Sequence, residues 1–420
     1  MVHIINGMGL SGLAYYDSSK RKDEIICIEK NIEIGGYTRT TRIDGFQFDY
    51  TGHFLHLKNK KHPSEIGLNG DLYKDEWMKI KNKSGVYING EICEAPYQYN
   101  FRQLGKKYSE NCINSFLKIK EDCKNSNLKE FYINNFGKFM ADSFFIPYNE
   151  KLLSTNLENL DPSQLGRFFP KLNRNLILED NGKHDSSKRT YNSEFWYPKS
   201  GGIDLLLRHF ERPKKTLFNK IKEIEIKSQK AILSDGSEIS YERFINTVNL
   251  KDFLGLIKDL PEEIRKLKDN LSSSSQYSVY LGLKKPIELF NKFAWLYIPD
   301  SKTNVYRIGN FTFASKSMAS FGEGMSLYVE LSNSSLDPIK DAKEYMIKNF
   351  SITHEDIVAL AFNKLDPGYV HFKKNNNENI NKILSWLRQK DIFSIGRYGK
   401  WTYLSMEDCI LSAVQLAEEI

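Results

Sequence analysis

The sequence predicts an α/β protein in which a Rossmann-like domain carries an inserted helical subdomain and an antiparallel β-sheet domain. Three patterns lead to this prediction: a strand, glycine turn, helix and strand at the start of the chain, helical periodicity from Tyr99 to about Phe169, and strand patterns from Gln276 to Leu331. Single hydrophobic cores seldom grow past about 250–300 residues. The chain has 420 residues, so we expect more than one folding unit.

The first unit is a β-α-β element. Ile4–Asn6 and Ile25–Glu29 are apolar runs typical of buried parallel strands, and Leu13–Ser19 between them is predicted as a short helix. A hairpin follows at Val86–Cys93, where Asn89-Gly90 supplies the residues that a tight two-residue turn prefers. The β-α-β element opens the α/β domain, and the hairpin begins the sheet domain.

Helical periodicity follows the hairpin. Phe116 and Ile119, and later Phe136 and Met140, recur at spacings of three or four residues. Residues 171–193 are rich in Asn, Lys, Ser and Asp, which predicts a mobile loop that could act as a lid.

Strand patterns dominate the second half of the chain. A hairpin is predicted around Asp235-Gly236, and the strand Arg243–Val248 follows it. The strands predicted for the sheet domain are Tyr277–Leu283, Phe293–Ile298, Val305–Ile308 and Ser326–Leu331. The chain closes with a strand at Ile392–Ile395 and an amphipathic helix from about Met406 to Glu419.

These patterns divide the chain into three parts. We predict a discontinuous nucleotide-binding domain, a helical subdomain that includes the mobile loop, and a sheet domain that holds the substrate. Their residues are 1–75, 195–270 and 380–420 for the first, 95–194 for the second, and 76–94 with 271–379 for the third.

The composition argues against several function classes. The net charge is +7, yet Lys and Arg alternate with acidic residues along the whole length, which argues against a nucleic-acid interface. No apolar run approaches the ~18 residues that a membrane-spanning helix needs, so we expect a cytoplasmic protein without a span. The five cysteines are scattered and show no spacing typical of a metal site or a disulfide framework.

The first turn carries the pattern of a dinucleotide-binding cradle. Gly7, Gly9 and Gly12 satisfy G-x-G-x-x-G, in which glycines permit a tight turn, close approach of the backbone to a pyrophosphate, and packing of helix on strand. Glu29 lies 20 positions beyond Gly9 at the end of the second strand, where a carboxylate can accept hydrogen bonds from the adenosine ribose. The alternative is a cradle that has lost its ligand.

Two further segments resemble those of FAD-binding proteins. Gly35-Gly36 supplies a second glycine pair. Gly52-His53-Phe54-Leu55-His56 resembles the loop that lies at the flavin in the UDP-galactopyranose mutase family. The alternative for His53 is a histidine packed in the core.

Other segments resemble this family in the same order along nearly the whole chain. They are Pro96–Asn100, Phe145–Lys151, Gly166-Arg167, Tyr197–Gly202, Trp295–Pro299 with Tyr306-Arg307, Gly368-Tyr369, Gly396-Arg397 and Tyr403–Glu407. Any one of them could arise by chance, whereas the ordered series is specific.

The resemblance implies a flavin-dependent nucleotide-sugar mutase with a Rossmann-like FAD-binding domain. Such an enzyme interconverts the pyranose and furanose forms of a UDP-sugar, with N5 of reduced FAD as the nucleophile, and serves cell-surface polysaccharide biosynthesis. The resemblance also implies a reductant for the flavin, such as NAD(P)H. The oligomeric state stays open.

The resemblance assigns roles to individual residues. The catalytic residues would be His53, Arg307 and Arg397. The substrate would be bound by Gln98, Asn149, Arg167, Tyr297, Arg307, Tyr369, Arg397 and Tyr403. The cofactor would be bound by Gly7, Gly9, Gly12, Glu29, Gly36, Gly52, His53, Gly396 and Met406.

Elementary electrostatics also predicts that Arg307 and Arg397 bind a diphosphate. A nucleoside diphosphate carries about two negative charges, and arginine binds such oxygens bidentately through charge-assisted hydrogen bonds. Arg307 and Arg397 are the expected clamp, with Arg167 moving in. Tyrosines at positions 297, 369 and 403 would add hydroxyl donors on apolar rings that exclude water.

Three positions depart from the family pattern. Ala95, Leu153 and Ser405 stand where the family often has Tyr, Trp and an acidic residue. The first two lie where uracil and ribose would bind, and the third lies near the pyrophosphate. The base and the sugar of the substrate therefore stay open.

Two other functions also fit parts of the sequence. An FAD-dependent oxidoreductase of the amine-oxidase and protoporphyrinogen-oxidase class shares the amino-terminal features but does not require the arginine clamp. A non-enzymatic relative of the GDP-dissociation inhibitors would keep the architecture without flavin. The intact glycine cradle and Glu29 argue against this last interpretation.

Overall fold

The computed structural model describes residues 2–120, 124–162, 173–179, 193–319 and 323–420. Arg167, which the family resemblance assigns to substrate binding, lies outside the described residues, as does most of the predicted loop at 171–193. None of the helices within these ranges combines the length and the apolarity needed to cross a membrane.

The strands belong to two large sheets and two small two-stranded sheets. In chain order they are β1 (Val2–Asn6), β2 (Ile25–Glu29), β3 (Thr40–Ile43), β4 (Phe46–Asp49), β5 (Trp77–Lys81), β6 (Ser84–Ile88), β7 (Glu91–Glu94), β8 (Glu194–Pro198), β9 (Thr216–Phe218), β10 (Ile221–Glu225), β11 (Lys230–Leu233), β12 (Glu238–Asn246), β13 (Gln276–Leu283), β14 (Trp295–Tyr297), β15 (Val305–Asn310), β16 (Met325–Ser332), β17 (Ile357–Leu365) and β18 (Ile392–Ser394). The two-stranded sheets are β3-β4 and β5-β8.

The helices cluster in the middle of the chain and near its end. In chain order they are α1 (Leu10–Ser18), α2 (Tyr97–Asn100), α3 (Lys106–Leu117), α4 (Leu128–Phe136), α5 (Lys138–Met140), α6 (Ile146–Leu153), α7 (Arg174–Leu178), α8 (Leu250–Gly255), α9 (Glu262–Asp269), α10 (Phe311–Ala314), α11 (Pro338–Phe350), α12 (Asn376–Arg388), α13 (Gly396–Gly399) and α14 (Met406–Glu419). A π-helical turn, Ala141–Phe145, joins α5 to α6.

The first sheet has seven strands and carries the glycine turn. Its order is β10-β11-β12-β1-β2-β9, with β18 also paired to β12. β1 lies parallel between β12 and β2, so Asn6 at its end lies beside Ile28 and Asn246. Ligands of such sheets bind at the carboxyl ends of the parallel strands. The turn that follows Asn6 lies at this edge.

The second sheet also has seven strands, in the order β17-β13-β16-β15-β14-β6-β7. Its neighbours are antiparallel except β14 and β6, which run parallel. One face, which includes Val279 and Leu327, packs under α11. The other face carries Tyr280, Trp295 and Tyr328 into the core that also contains α1 and α14. The sheet therefore turns one of its faces toward the cradle.

Helices α2 to α6 pack around an aromatic core. The rings of Phe136 and Phe145 lie 4.1 Å apart, and those of Tyr132 and Phe145 lie 5.2 Å apart. The same core includes Tyr148 and Tyr306, and Tyr306 belongs to β15 of the second sheet. Helix packing thus continues directly into the second sheet.

The α/β fold class predicted from the sequence is confirmed, while the predicted domain boundaries stay a prediction. Helix α1 begins at Leu10 rather than at Leu13, because Gly9 takes an extended conformation directly before it. The segment Trp77–Lys81 pairs with β8 and lies outside the second sheet, although it was assigned to that sheet's domain. Three elements, β17, α11 and α12, were not predicted from the sequence.

His209 makes the fold sensitive to acid. The side chain is fully buried, its Nε2 accepts a hydrogen bond from Nε1 of Trp77 at 3.0 Å, and its Nδ1 donates to the carbonyl oxygen of Ile66 at 3.2 Å. Burial lowers the pKa of His209 from 6.5 to about 4. The unfolded chain therefore protonates His209 more readily than the folded protein does. The contribution of neutral His209 to the free energy of unfolding is fully present above pH 6.5, and about 3 kcal/mol of it is lost as the pH falls to 4.

Urea unfolding of the wild type and of His209→Gln at pH 7 and pH 4 would measure this contribution. The glutamine amide can still accept from Trp77 but does not titrate, so the variant should lose about 3 kcal/mol less than the wild type on acidification. Equal losses in the two proteins would show that His209 does not carry the effect.

Candidate functional site

The glycine turn after β1 has the geometry of a phosphate cradle. Gly7 has a φ of +96°, which only glycine adopts readily, and a Cβ on Gly12 would lie 2.2 Å from the carbonyl oxygen of Gly7. Gly9 directly precedes α1, so the amino-terminal N–H groups of that helix point toward the turn. Such a helix end favours an anion such as a pyrophosphate.

The second glycine pair completes the cradle. The N–H of Gly35 donates to the carbonyl oxygen of Met8 at 2.7 Å, and Gly36 has a φ of +57°. A Cβ on Gly36 would lie 3.1 Å from Cα of Gly9. Two backbone segments therefore approach closely here, and larger side chains would separate them.

Glu29 is buried at the end of β2, where the sequence predicts it. Its Oε2 accepts from the N–H of Met8 at 2.9 Å, and its Oε1 accepts from both the backbone and the side chain of Asn31. A carboxylate has about four acceptor positions, so ribose hydroxyls would share it with these donors. The glycine turns and this carboxylate together fit a dinucleotide.

Gly52, Gly396 and Met406 were also predicted to contact the cofactor. A Cβ on Gly52 would lie 2.2 Å from the hydroxyl of Tyr328, and a Cβ on Gly396 would lie 2.4 Å from Oγ of Ser11. Met406 begins α14, which packs against α1. Gly396 therefore lies beside α1, and Met406 begins the helix that packs against α1. Gly52 lies against the second sheet instead.

A polar row crosses the second sheet on the face turned toward the cradle. Tyr297 of β14 lies opposite Arg307 of β15, Arg307 lies opposite Glu330 of β16, and Glu330 lies opposite Ser278 of β13. Directly opposed residues of antiparallel strands project from the same face. Strand register, rather than loop conformation, thus fixes Arg307 in place.

Glu330 holds Arg307 in a bidentate ion pair. Nε of Arg307 donates to Oε2 at 2.5 Å, and Nη2 donates to Oε1 at 2.9 Å, while Oγ1 of Thr51 also donates to Oε1. Burial alone would lower the pKa of Arg307, but Glu330 opposes it and holds the pKa well above its usual value. Nη1 of Arg307 makes no hydrogen bond to any described residue and remains available for a ligand.

Arg397 lies among aromatic rings instead of carboxylates. Its guanidinium carbon lies 5.4 Å from the ring centre of Tyr369, 5.9 Å from that of Tyr398 and 5.0 Å from that of Tyr403. Its Nη1 donates to the carbonyl oxygen of Leu404. No described carboxylate forms a salt bridge with it, which leaves a half-buried positive charge in need of an anion.

The two arginines share neighbours. Tyr369 touches Arg397 and also lies close enough to Arg307 to influence its pKa. Burial, then the charge of Arg397, and more weakly that of Arg307, lower the pKa of His53 to about 4. Arg307, Arg397, Tyr369 and His53 therefore lie near one another, and we call these four residues the arginine cluster.

His53 is neutral and can accept a hydrogen bond. Its Nδ1 lies 3.1 Å from the carbonyl oxygen of Tyr37, and a carbonyl can only accept, so Nδ1 carries the proton. Nε2 is left with its lone pair. The pKa of about 4 keeps the ring uncharged at neutral pH.

Of the remaining predicted substrate residues, two lie in helices, Gln98 in α2 and Asn149 in α6. Asn149 donates to the carbonyl oxygen of Phe145 at 2.7 Å, and Gln98 is buried in α2. Tyr148, next to Asn149, packs its ring 5.2 Å from that of Tyr297. The structure describes no hydrogen bond that joins Gln98 or Asn149 to either arginine.

Tyr403 has a hydrogen-bond partner within the protein. Its hydroxyl donates to the carbonyl oxygen of Val370 at 3.2 Å, so its proton is already used. The ring of Tyr403 makes an edge contact with that of Tyr369 and lies next to the guanidinium of Arg397. Tyr403 therefore lies against Arg397, and its donation of a hydrogen bond to a ligand stays a prediction.

Sequence reasoning missed Glu330 and Thr51. Glu330 is fully buried in the otherwise apolar strand β16, and a charge in such a run is the signal that could have indicated a buried ion pair. Thr51 directly precedes the segment Gly52–His56, and its hydroxyl donates to Glu330. It therefore links that segment to the ion pair of Arg307. Their spacing of 279 residues gave no local hint of this contact.

Known proteins share this fold. Residues 5–64 match the model of a family described as NAD(P)-binding Rossmann-like domain. Reduced UDP-galactopyranose mutase superposes with a TM-score of 0.86 at 21% identity, over 100% of this chain and 93% of that chain. A proposed protoporphyrinogen oxidase from Exiguobacterium sp. 255-15 gives 0.72 at 12%, over 99% and 98%. Cyclohexylamine oxidase from Brevibacterium oxydans IH-35A gives 0.67 at 14%, over 100% and 99%.

These similarities define the class of protein. The matched domain and the geometry of the cradle indicate a dinucleotide-binding α/β protein. Its architecture is the one shared by UDP-galactopyranose mutase and by the two oxidases. At these identities the similarity concerns the fold alone.

Proposed function

We propose that this protein is a flavin-dependent nucleotide-sugar mutase that interconverts the pyranose and furanose forms of a UDP-sugar. The observation that carries the proposal is the arginine cluster, in which Arg307 and Arg397 both lie near Tyr369 and His53. We infer that this cluster lines the substrate cleft. An oxidase that removes hydride from an amine needs no such pair of cations. A diphosphate leaving group does, because it needs charge stabilisation as its bond to the sugar breaks.

The cradle fits FAD. Gly7, Gly9 and Gly12 would lie along the pyrophosphate, and Glu29 would receive the ribose hydroxyls. When bound in its reduced form, FAD would supply the nucleophile that displaces the nucleoside diphosphate from the anomeric carbon. The protein then needs no catalytic serine or carboxylate pair of its own.

Arg307 and Arg397 would bind the two phosphates. Arg307 is held rigidly by Glu330, which leaves Nη1 to donate to a phosphate oxygen. Arg397 is oriented by the carbonyl of Leu404 and by tyrosine rings, which also exclude water from its charge. Both guanidinium groups stabilise the leaving diphosphate and keep it in place until it returns to the sugar.

His53 would orient a donor group rather than transfer a proton. It is uncharged at neutral pH, and its Nε2 can accept a hydrogen bond. Arg167, Tyr297 and Asn149 complete the proposed substrate site. The proposal also includes a flavin reductant such as NAD(P)H, a cytoplasmic location, and use of the product in cell-surface polysaccharide synthesis.

Ring contraction is the direct test of the proposal. The protein, reduced anaerobically and given UDP-galactopyranose or other UDP-sugars, should form the furanose isomer without a stoichiometric electron acceptor, as detected by liquid chromatography. The same protein kept oxidised is the matched control and should be inactive. The proposal fails if no UDP-sugar isomerises under reducing conditions.

The alternative is an FAD-dependent oxidoreductase of the amine-oxidase and protoporphyrinogen-oxidase class. The observation in its favour is the fold shared with the two oxidases across nearly the whole chain. Under this alternative, turnover would consume oxygen or another acceptor in a one-to-one ratio with substrate. Arg307→Ala would leave that turnover unchanged, whereas the mutase proposal expects a large loss.

A further inference from the structure

Three tyrosine hydroxyls bond the backbone of one short segment, Asp366–Val370. Each hydroxyl bonds a different residue, and these residues alternate along the segment. The pairs are Tyr37 with the N–H of Asp366 at 3.0 Å, Tyr398 with the carbonyl oxygen of Gly368 at 3.2 Å, and Tyr403 with the carbonyl oxygen of Val370 at 3.2 Å. We call Tyr37, Tyr398 and Tyr403 the tyrosine trio.

The tyrosine trio and the segment that it bonds come from different sheets. Tyr37 directly follows the second glycine pair of the cradle, and Tyr398 lies in α13, which follows β18 of the first sheet. The segment Asp366–Val370 follows β17, the terminal strand of the second sheet. The tyrosine trio therefore joins the side of the cofactor cradle to the second sheet.

Tyr37 and Tyr398 also contact each other. Their ring centres lie 5.8 Å apart and their planes meet at 89°, the edge-to-face arrangement that aromatic rings favour. Burial raises the pKa of Tyr398 to about 12 and also raises the pKa of Tyr37, so both hydroxyls keep their protons at neutral pH. The carbonyl oxygen of Tyr37 accepts from Nδ1 of His53. Tyr37 thus contacts the arginine cluster as well as the segment.

Tyr369 lies within this segment, and Ser274 binds it from the side of the second sheet. Oγ of Ser274 accepts from the N–H of Tyr369 at 3.2 Å, and the N–H of Ser274 donates to the carbonyl oxygen of Tyr369 at 2.7 Å. Arg397 lies in α13 beside Tyr398, and its guanidinium carbon lies 5.4 Å from the ring centre of Tyr369. The contact between Arg397 and Tyr369 therefore depends on how the first-sheet side holds the segment.

We propose that Tyr37 and Tyr398 are positioning residues for the diphosphate. By holding the segment, they keep Tyr369 against Arg397. The inference rests on the proposed function, in which Arg397 binds a phosphate. Neither hydroxyl has to touch the ligand, because charge-assisted hydrogen bonds from a guanidinium depend on geometry, and a small displacement of the donor weakens them.

Removal of each hydroxyl tests the proposal. Tyr37→Phe and Tyr398→Phe keep the ring, and Ser274 and Tyr403 still hold the segment, so the fold should survive. In calorimetric titrations of the reduced, flavin-loaded protein with UDP, each variant should raise the dissociation constant about 3- to 10-fold, the effect of losing one hydrogen bond. Tyr87→Phe is the matched control, because its ring packs on the other face of the second sheet, and it should leave the affinity unchanged.

A double-mutant cycle distinguishes positioning from a general loosening of the protein. If Tyr398 acts through Arg397, Tyr398→Phe should change UDP affinity less than about twofold when Arg397 is already replaced by alanine. A purely structural role would weaken binding by the same factor in both backgrounds. Flavin content should be that of the wild type in every single variant.

Unchanged UDP affinity in either Tyr37→Phe or Tyr398→Phe would overturn the inference and leave the proposed function intact. An equal loss with and without Arg397 would overturn it as well, since Tyr398 would then act by another route. A wild-type protein that binds no UDP would refute the proposed function and this inference with it. The two single variants release the segment at different residues, so either one decides the result if the other fails to fold.

Discussion

Replacing Glu330 by alanine is expected to lower the free energy of unfolding by about 3 kcal/mol, because it leaves the Arg307 guanidinium inside the protein without its counter-charge. Glu330 is fully buried and holds two N–H groups of Arg307 as well as the hydroxyl of Thr51. Burial of an unpaired charge costs more than the pair itself contributes. Urea unfolding at pH 7 would measure the loss.

A double variant separates charge imbalance from lost packing. Arg307→Met combined with Glu330→Met removes both charges and keeps most of the volume, so it should regain most of the stability that Glu330→Ala loses. It should still fail to bind UDP tightly. If Glu330→Ala changed stability by less than about 1 kcal/mol, the buried ion pair would not be what positions Arg307.

Replacing Arg397 by alanine is expected to weaken UDP binding by about 1.5–3 kcal/mol, the scale of a hydrogen bond to a charged group. This corresponds to an increase of about 10- to 150-fold in the dissociation constant. Arg397 has no described carboxylate partner, so the proposed diphosphate is its counter-ion. The alanine variant would offer that diphosphate no charge-assisted hydrogen bond. Calorimetric titration of the reduced protein with UDP would give both constants.

Two variants make the Arg397 result specific. Arg397→Lys keeps the charge but not the planar fork, so its affinity should fall between those of the wild type and the alanine variant. Arg388→Ala removes an exposed arginine that pairs with Glu419, and it should leave UDP affinity unchanged. Flavin content should be equal in all of them. Unchanged UDP affinity in Arg397→Ala would remove this arginine from the site.

Local signals were sufficient to predict the cradle and the last helix. Gly7, Gly9 and Gly12 act within one turn, and Glu29 lies at the end of the next strand, so their arrangement depends on a short stretch of chain. Met406–Glu419 matches the predicted helix because Ser405 accepts from the N–H of Asp408 and marks its start. Features of this kind can be predicted from sequence because neighbours in the chain decide them.

The features that were not predicted from the sequence depend on pairing between residues far apart in the chain. β5 pairs with β8 across more than a hundred residues, and the partner of Arg307 lies on the neighbouring strand, inside an apolar run. The hydroxyl of Tyr403 donates to the carbonyl of Val370, 33 residues away, a contact that no local pattern indicates. Periodicity identifies which residues face inward, whereas their partners depend on strand register and on the packing of sheet against helix.

The most direct test of the account is a crystal structure of the reduced protein with UDP bound. The account predicts that the diphosphate lies in the cleft beside the flavin, with oxygens within hydrogen-bond distance of Nη1 of Arg307 and of the guanidinium of Arg397. A diphosphate bound outside this cleft, or held by neither arginine, would contradict it.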